Sequence, residues 1–247
     1  MTSTFEPKLT KAIEGQPPSK EIRQKLKAEN KPVCVAFSGG KDCIAATLAL
    51  MEEGIEVVPA HLYLIPGKQP NTAIGFVEDS LNRLEDQLGV EIFRYPHPSL
   101  YRWLTNYIFQ PPERVATIAA ARFKAISYEE LWSAIVDDLE LAPDTWIADG
   151  VRASDSIVRR ASIKRHGAMK PKSHKVSPIY DWLQGSVYDY INLHNIDLPI
   201  DYQLFDRSFD GLDYRFVKPI KENLPDDYAQ IKEWFPLIDL EILRNEL

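Results

Sequence analysis

Cysteine is scarce: the 247 residues hold only Cys34 and Cys43, nine positions apart in one stretch. A disulfide framework is therefore excluded, and a reducing, cytoplasmic home is expected. Two thiols also cannot ligate a four-thiolate iron–sulfur cluster, so no such cluster is expected. No window approaches the roughly 18 apolar residues of a membrane span. The opening "MTSTFEPKLTKAIEGQPPSK" lacks the apolar core of a secretory signal, and none is expected. There is no H-E-x-x-H, no G-x-S-x-G, no Cys/His cluster, no internal repeat and no low-complexity tract. An excess of positive charge is missing too: the formal net charge is −7, which argues against a chain that coats nucleic acid non-specifically.

That charge is unevenly spread. Residues 152–175 carry eight Lys/Arg (Arg152, Arg159, Arg160, Lys164, Arg165, Lys170, Lys172, Lys175) against Asp155, a segment of +7 that leaves −14 for the rest. Such a patch reads as a local anion site; its plain alternative is a solvated helix face.

The apolar pattern predicts an α/β chain. The first 18 residues are polar and Pro/Gly-punctuated, a flexible arm. "SKEIRQKLKAEN" reads as a helix capped by Ser19. "PVCVAF" has the continuous apolar character of a buried parallel strand. "DCIAATLALMEEG" follows as a helix stopped by Gly54. "IEVVPAHLYLI", "NTAIGFVEDSLNRLEDQLG" and "VEIFRYP" continue the strand–helix–strand alternation of an open parallel sheet. Helices are predicted over "SLYRWLTNYIF", "PERVATIAAARF" and "YEELWSAIVDDLE", a fourth strand over "DTWIADG", and a helix over "SDSIVRRASIKRHG" with Ser154 or Asp155 as cap. A strand "KVSPIYDW", a helix "GSVYDYINLHN" and a helical tail complete the reading. The expected architecture is an open, mostly parallel twisted sheet with helices on both faces. A nucleotide-binding domain over 19–200 would carry a C-terminal extension, 201–247, packed on it.

Ligands of such sheets bind beyond the carboxyl ends of the strands, and two strand ends here are marked by glycine. In "VCVAFSGGKDCIAA", Gly39 and Gly40 let backbone N–H groups approach a phosphate, and the next helix aims its N-terminus at the same point. Ser38 adds a hydroxyl, Lys41 a point charge, and Asp42 a carboxylate suited to capping the helix or holding Mg²⁺. An ordinary Gly-rich turn with an aspartate cap is the alternative. It is not a Walker loop: Val35 stands where the first glycine of G-x-x-x-x-G-K-[ST] belongs, and Asp42 follows the lysine. The second marked end is Gly150–Arg152.

"FSGGKDC" resembles the SGGxDS loop of the PP-loop, or N-type, ATP pyrophosphatases. Together with "WIADGVRASDSIVRR" and "VSPIYDWLQGSVYDYINLHNIDLPIDY", it resembles the phosphoadenosine phosphosulfate (PAPS) reductase-like family. "HLYLIPGKQPNTAIGFVED" and "HPSLYRWLTNYIFQPPERV" are similar to a branch common in bacteriophage genomes, for which the compartment would be the host cytoplasm. The resemblance implies an adenine nucleotide alpha hydrolase-like fold. It implies a phosphate cradle of Ser38, Gly39, Gly40, Lys41 and Cys43, faced by Gly150 and Arg152, with Arg159 or Arg160 neutralising further charge. Lys41, Asp42 and Arg152 would be catalytic, and Asp42 would hold Mg²⁺ beside ATP. Adenine would lie near Ala36, Phe37, His61, Leu62 and Tyr63.

Departures from the family pattern narrow the chemistry. Cys43 replaces a serine and Asp155 a glutamate. The reductases' C-terminal nucleophilic cysteine is missing, since nothing after Cys43 is cysteine. The expected activity is adenylyl transfer from ATP to an acceptor with release of pyrophosphate. The alternatives are an ATP- or PAPS-binding protein without turnover, and a PAPS reductase borrowing a partner's thiol. A protein partner would supply sulfur or the acceptor, nucleic acid stays open as an acceptor though net charge does not point to it, no membrane association is expected, and a homo-oligomer is.

Overall fold

The computed structural model describes residues 5–124 and 126–247; residues 1–4 of the expected arm lie outside them. In chain order the regular elements are α1 (Ser19–Glu29), β1 (Val33–Ala36), α2 (Lys41–Glu52), β2 (Val57–Tyr63), α3 (Gly75–Leu88), β3 (Phe93–Pro96), α4 (Pro98–Thr105), α5 (Pro112–Ala121) and α6 (Tyr128–Asp138). There follow β4 (Ile147–Ala148), α7 (Ile157–His166), β5 (Met169–Lys170), β6 (Lys175–Val176), α8 (Gln184–Leu193), α9 (Asp201–Phe205), α10 (Tyr214–Asn223), α11 (Pro225–Trp234) and α12 (Asp239–Glu246).

Six strands form one sheet in the order β3-β2-β1-β4-β6-β5. β1 pairs in parallel with β2, from Val33 opposite Val57 to Ala36 opposite Ala60, and with β4 on its other edge. β4 pairs in parallel with β6, and β5 runs antiparallel to β6. The mostly parallel α/β sheet expected from the sequence is what forms. Val33, Cys34 and Val35 are buried, as a strand flanked on both edges and covered on both faces must be. α2 is apolar almost all round, with Cys43–Leu50 buried, which suits a helix enclosed by its neighbours rather than laid on a surface. Gly54 closes it at φ +77°, the left-handed turn a glycine makes without strain.

Several boundaries differ from the pattern. α4 ends at Thr105 because Tyr107 and Phe109 take φ values of 55° and 53°. The strand expected over "KVSPIYDW" ends at Val176, where Tyr180 N–H bonds back to the Ser177 carbonyl at 3.2 Å and turns the chain. The two-residue β5 has too short a pattern to be seen in advance. From Phe5 on, the N-terminal segment is tied down. Lys8 N–H donates to Ser186 Oγ at 2.7 Å, Thr10 N–H to the Asp181 carbonyl at 2.7 Å, and Leu9 bridges Trp182 antiparallel.

The chain divides into two compact units. The first gathers Met1–His61, Leu84–Phe93 and Ser133–Leu198; the second gathers Leu62–Arg83, Arg94–Trp132 and Pro199–Leu247. The second has its own apolar core, in which Leu64, Ile65, Ile74, Phe76, Leu100 and Leu104 meet Phe216, Val217, Ile220, Ile231, Phe235 and Ile238. The C-terminal helices therefore share a core with two mid-chain segments.

Candidate functional site

The first strand end is a loop held by its own polar atoms. Gly39 sits at φ +73° and Gly40 is the N-cap of α2, offering no side chain to cap the helix. The first N–H groups of a helix lack intrahelical acceptors, so this end of α2 presents donors and partial positive charge beside the exposed Ser38. Gly40 N–H donates to Ser38 Oγ at 3.4 Å, and the hydroxyl donates to Cys43 Sγ at 3.5 Å. The thiol in turn donates to the Gly40 carbonyl at 2.9 Å. Burial pushes Cys43 up to about 11 and Cys34 up to about 12. Both are protonated near neutrality, and Cys43 acts as an internal clip rather than a nucleophile.

The second strand end is pressed against the first. A Cβ on Gly150 would lie 2.7 Å from both the Asp42 carbonyl carbon and the Cys43 nitrogen, so only glycine fits. Two residues on, the Arg152 side chain is 3 % exposed and bridges the loops: Nε meets Asp42 Oδ1 at 2.7 Å and Nη2 meets Asp155 Oδ1 at 2.5 Å. Its Nη1 donates to Ser154 Oγ at 3.1 Å and to the Trp182 carbonyl at 3.5 Å. Lys41 Nζ takes Asp42 Oδ2 at 2.8 Å, and Arg159 pairs with Asp155 Oδ2. Three cations and two carboxylates thus form one continuous chain, with a cationic excess of one. Arg152 is its buried keystone; Lys41, and Arg159 at 49 % exposure, are its outer cations. A guanidinium so enclosed by protein groups acts by positioning the two loops.

The remaining predicted residues are dispersed. Arg160 does not join the chain: it donates to Thr10 Oγ1 at 3.2 Å and the Lys11 carbonyl at 3.0 Å, fastening the N-terminal segment. Phe37 is 1 % exposed, a core residue whose N–H donates to the Ala60 carbonyl at 2.9 Å, while Ala36 is half-buried. His61 is buried, with Nδ1 donating to the Phe37 carbonyl at 2.8 Å, and ties the ends of β1 and β2. Leu62 and Tyr63 belong to the second unit. The two carboxylate oxygens of Asp42 are both on cations. No group of three or more His, Cys, Asp or Glu side chains converges among the described residues. Asp42 as arranged does not fit a protein-held Mg²⁺.

Sequence reasoning passed over Asp149 and Ser177. Asp149 Oδ1 accepts from the Ser177 hydroxyl at 2.7 Å and from Val151 N–H at 3.0 Å, shaping the turn that carries Gly150 and Arg152. Burial raises its carboxyl above the ordinary value, with the Ser177 and Val151 hydrogen bonds opposing. The available signal was a polar residue at the end of each of two adjacent buried strands. The helix cap also differs: α7 is capped by Ser156, whose Oγ accepts from Arg159 N–H at 3.1 Å. No helix among the described residues is long and apolar enough to cross a membrane.

Compared with known families, residues 32–212 match the model described as phosphoadenosine phosphosulfate reductase domain. Both strand-end loops, Ser38–Cys43 and Asp149–Arg159, lie inside the matched span. Among curated proteins, no match is found.

Proposed function

The chain belongs to the phosphoadenosine phosphosulfate reductase domain family, which gives it an adenine-nucleotide- or sulfonucleotide-related function, and on that premise we propose that it transfers an adenylyl group from ATP rather than reducing a sulfonucleotide. One observation carries this reading. Two strand ends close into a backbone-lined, net cationic cradle while both thiols of the chain are buried and protonated. Reduction needs a thiolate that attacks sulfur; Cys43 spends its S–H on Gly40 O inside the loop.

In the proposed reaction an acceptor oxygen attacks the α-phosphorus of ATP. The bond from that phosphorus to the bridging oxygen breaks, pyrophosphate leaves, and the acceptor carries AMP. Any proton on the acceptor oxygen goes to solvent. The chain's own part is positioning and charge neutralisation, where catalysis of such transfers largely lies. The N–H groups of Gly39, Gly40 and the first turn of α2 would receive phosphate oxygens. Lys41 would exchange Asp42 for phosphate, and Arg159 would exchange Asp155. Arg152 keeps the two loops in register while they do so. Magnesium brought by the nucleotide would be held chiefly by its phosphates.

The test is incubation of the purified chain with α-labelled ATP and Mg²⁺, with and without carboxylate, amide and nucleic-acid acceptors. AMP or an adenylate together with pyrophosphate is expected, abolished by Lys41→Ala. Binding of ATP or PAPS without turnover would make the chain a nucleotide sensor, and sulfite from PAPS plus a thiol donor would make it a reductase. Absence of any adenine-nucleotide binding would overturn all three.

A further inference from the structure

A second concave site lies in the first unit, formed without any residue of the cradle. It is a cavity of about 460 Å³ between the N-terminal segment, α1, the end of α2 and the Asp181–Trp182 turn. Its charged lining is Lys20 and Arg23 against Glu6, Glu52, Glu53 and Asp181, a net of −2. Phe5, Pro7, Leu9 and Pro18 give it an apolar wall. A phosphate-bearing ligand is disfavoured there by four carboxylates, so this cavity and the cradle select opposite charges.

Three of the lining side chains, each more than nine-tenths buried, carry a polar atom with no hydrogen-bond partner: Asp181 Oδ1, Arg23 Nε and Trp182 Nε1. Neighbouring atoms of two of these side chains are bonded. Asp181 Oδ2 accepts from Ser19 N–H at 2.9 Å, and Arg23 Nη1 donates to the Pro178 carbonyl at 2.8 Å. Glu53 stands 3.7 Å from Arg23 Nε, beyond hydrogen-bond distance. Burial lowers the Arg23 guanidinium below its ordinary value, opposed by Glu53, Tyr190, Asp181 and Glu52. A buried polar atom left without its hydrogen bond is destabilising. Three beside one cavity ask for a ligand offering one donor and one or two acceptors, and the −2 charge asks that the donor be a cation.

We propose that this cavity binds a small organic cation: an alkylammonium whose chain also carries a carbonyl-type acceptor. The ammonium is received by Asp181 with Glu53, the acceptor by Arg23 and the Trp182 indole N–H, and the methylene chain by Phe5 and Pro18. The site also touches the cradle through one residue. The Trp182 carbonyl is the atom that Arg152 Nη1 and, at 3.0 Å, Ser154 Oγ hold. A ligand that orders Trp182 therefore acts on the residue that keeps the two phosphate loops together.

The experiment is calorimetric titration of the full chain, at low ionic strength, with three probes matched in length. These are 6-aminohexanamide (cation and acceptor), n-hexylamine (cation alone) and hexanamide (acceptor alone). Saturable binding of 6-aminohexanamide is expected, with each single-function probe at least tenfold weaker. Glu53→Gln and Asp181→Asn should each weaken it at least tenfold. If Asp181→Asn fails to fold through loss of its bond to α1, Glu53→Gln alone decides. Lys41→Ala should leave amine binding intact, which separates failure here from failure of the adenylyl-transfer reading. No saturable heat with 6-aminohexanamide, or equal binding of hexanamide, overturns the proposal.

Discussion

Replacing Gly150 by alanine tests whether the two strand ends form one cradle. The added Cβ would lie 2.7 Å from the Asp42 carbonyl carbon, 2.7 Å from the Cys43 nitrogen and 2.9 Å from Asp42 Cβ. All three belong to the chain itself at the start of a buried helix, so no flexible side-chain end can swing away. The φ of Gly150 is not positive, so space rather than backbone strain demands glycine. Overpacking of this kind costs about 1–3 kcal/mol, and the loops must part by several tenths of an ångström. That movement also stretches the 2.7 Å contact between Arg152 and Asp42. With an m-value of about 2–3 kcal/mol/M, a loss of about 2 kcal/mol lowers the urea midpoint by roughly 1 M. Nucleotide affinity, measured by titration calorimetry at saturating folded protein, should fall at least tenfold. Gly185→Ala is the control, since a Cβ there meets nothing within 4 Å; in the first turn of α8 it should stabilise by about 0.5–1 kcal/mol. Wild-type midpoint and affinity in Gly150→Ala would refute the packed-cradle reasoning.

Other outcomes follow from the same contacts. Arg152→Ala leaves Asp42 and Asp155 facing each other without their bridge and should destabilise by about 3–5 kcal/mol. Arg152→Lys should recover only part of this, because one ammonium cannot reproduce the two-sided fork; urea denaturation checks both. Ser177→Ala removes a donor from the buried Asp149 and should cost about 1–3 kcal/mol while weakening nucleotide binding through the Gly150 turn. Neither cysteine should react with a thiol reagent in the folded chain at pH 8, whereas both should react in urea. Their folded values, about 11 and about 12, lie above the ordinary thiol value of 9.0 because both thiols are buried. The stability they contribute is therefore whole below about pH 9 and lost as pH rises through 9 to 12, which a denaturation series over that range detects.

The loop "FSGGKDC" and the strand–helix alternation were readable because period, glycine placement and buried apolar runs are local properties. The ends of β1 and β4 could be singled out as candidate site walls on the same grounds. What charge counting could not assign was the work of each arginine. Arg152, Arg159 and Arg160 belong to one +7 segment, yet one is a buried bridge, one an outer cation and one a fastener for the N-terminal segment. Those roles depend on which carboxylate or carbonyl the fold brings near, a long-range fact. Composition marked residues 1–18 as loose for the same reason: Asp181, Trp182 and Ser186, which receive their backbone, lie more than 160 residues away. Ser156 took the helix cap from Ser154 because Ser154 is drawn to the Trp182 carbonyl.

The shared core of the second unit has a consequence for how the chain is made. Leu64, Ile65, Ile74 and Phe76 find their packing partners in Phe216, Val217, Ile220, Ile231 and Phe235, which leave the ribosome long after them. Synthesis at about 5–20 residues per second keeps that apolar surface uncovered for roughly ten seconds or more. During that interval the nascent chain is sticky and exposed to chaperones and proteases. A stop codon near residue 200 would make the exposure permanent.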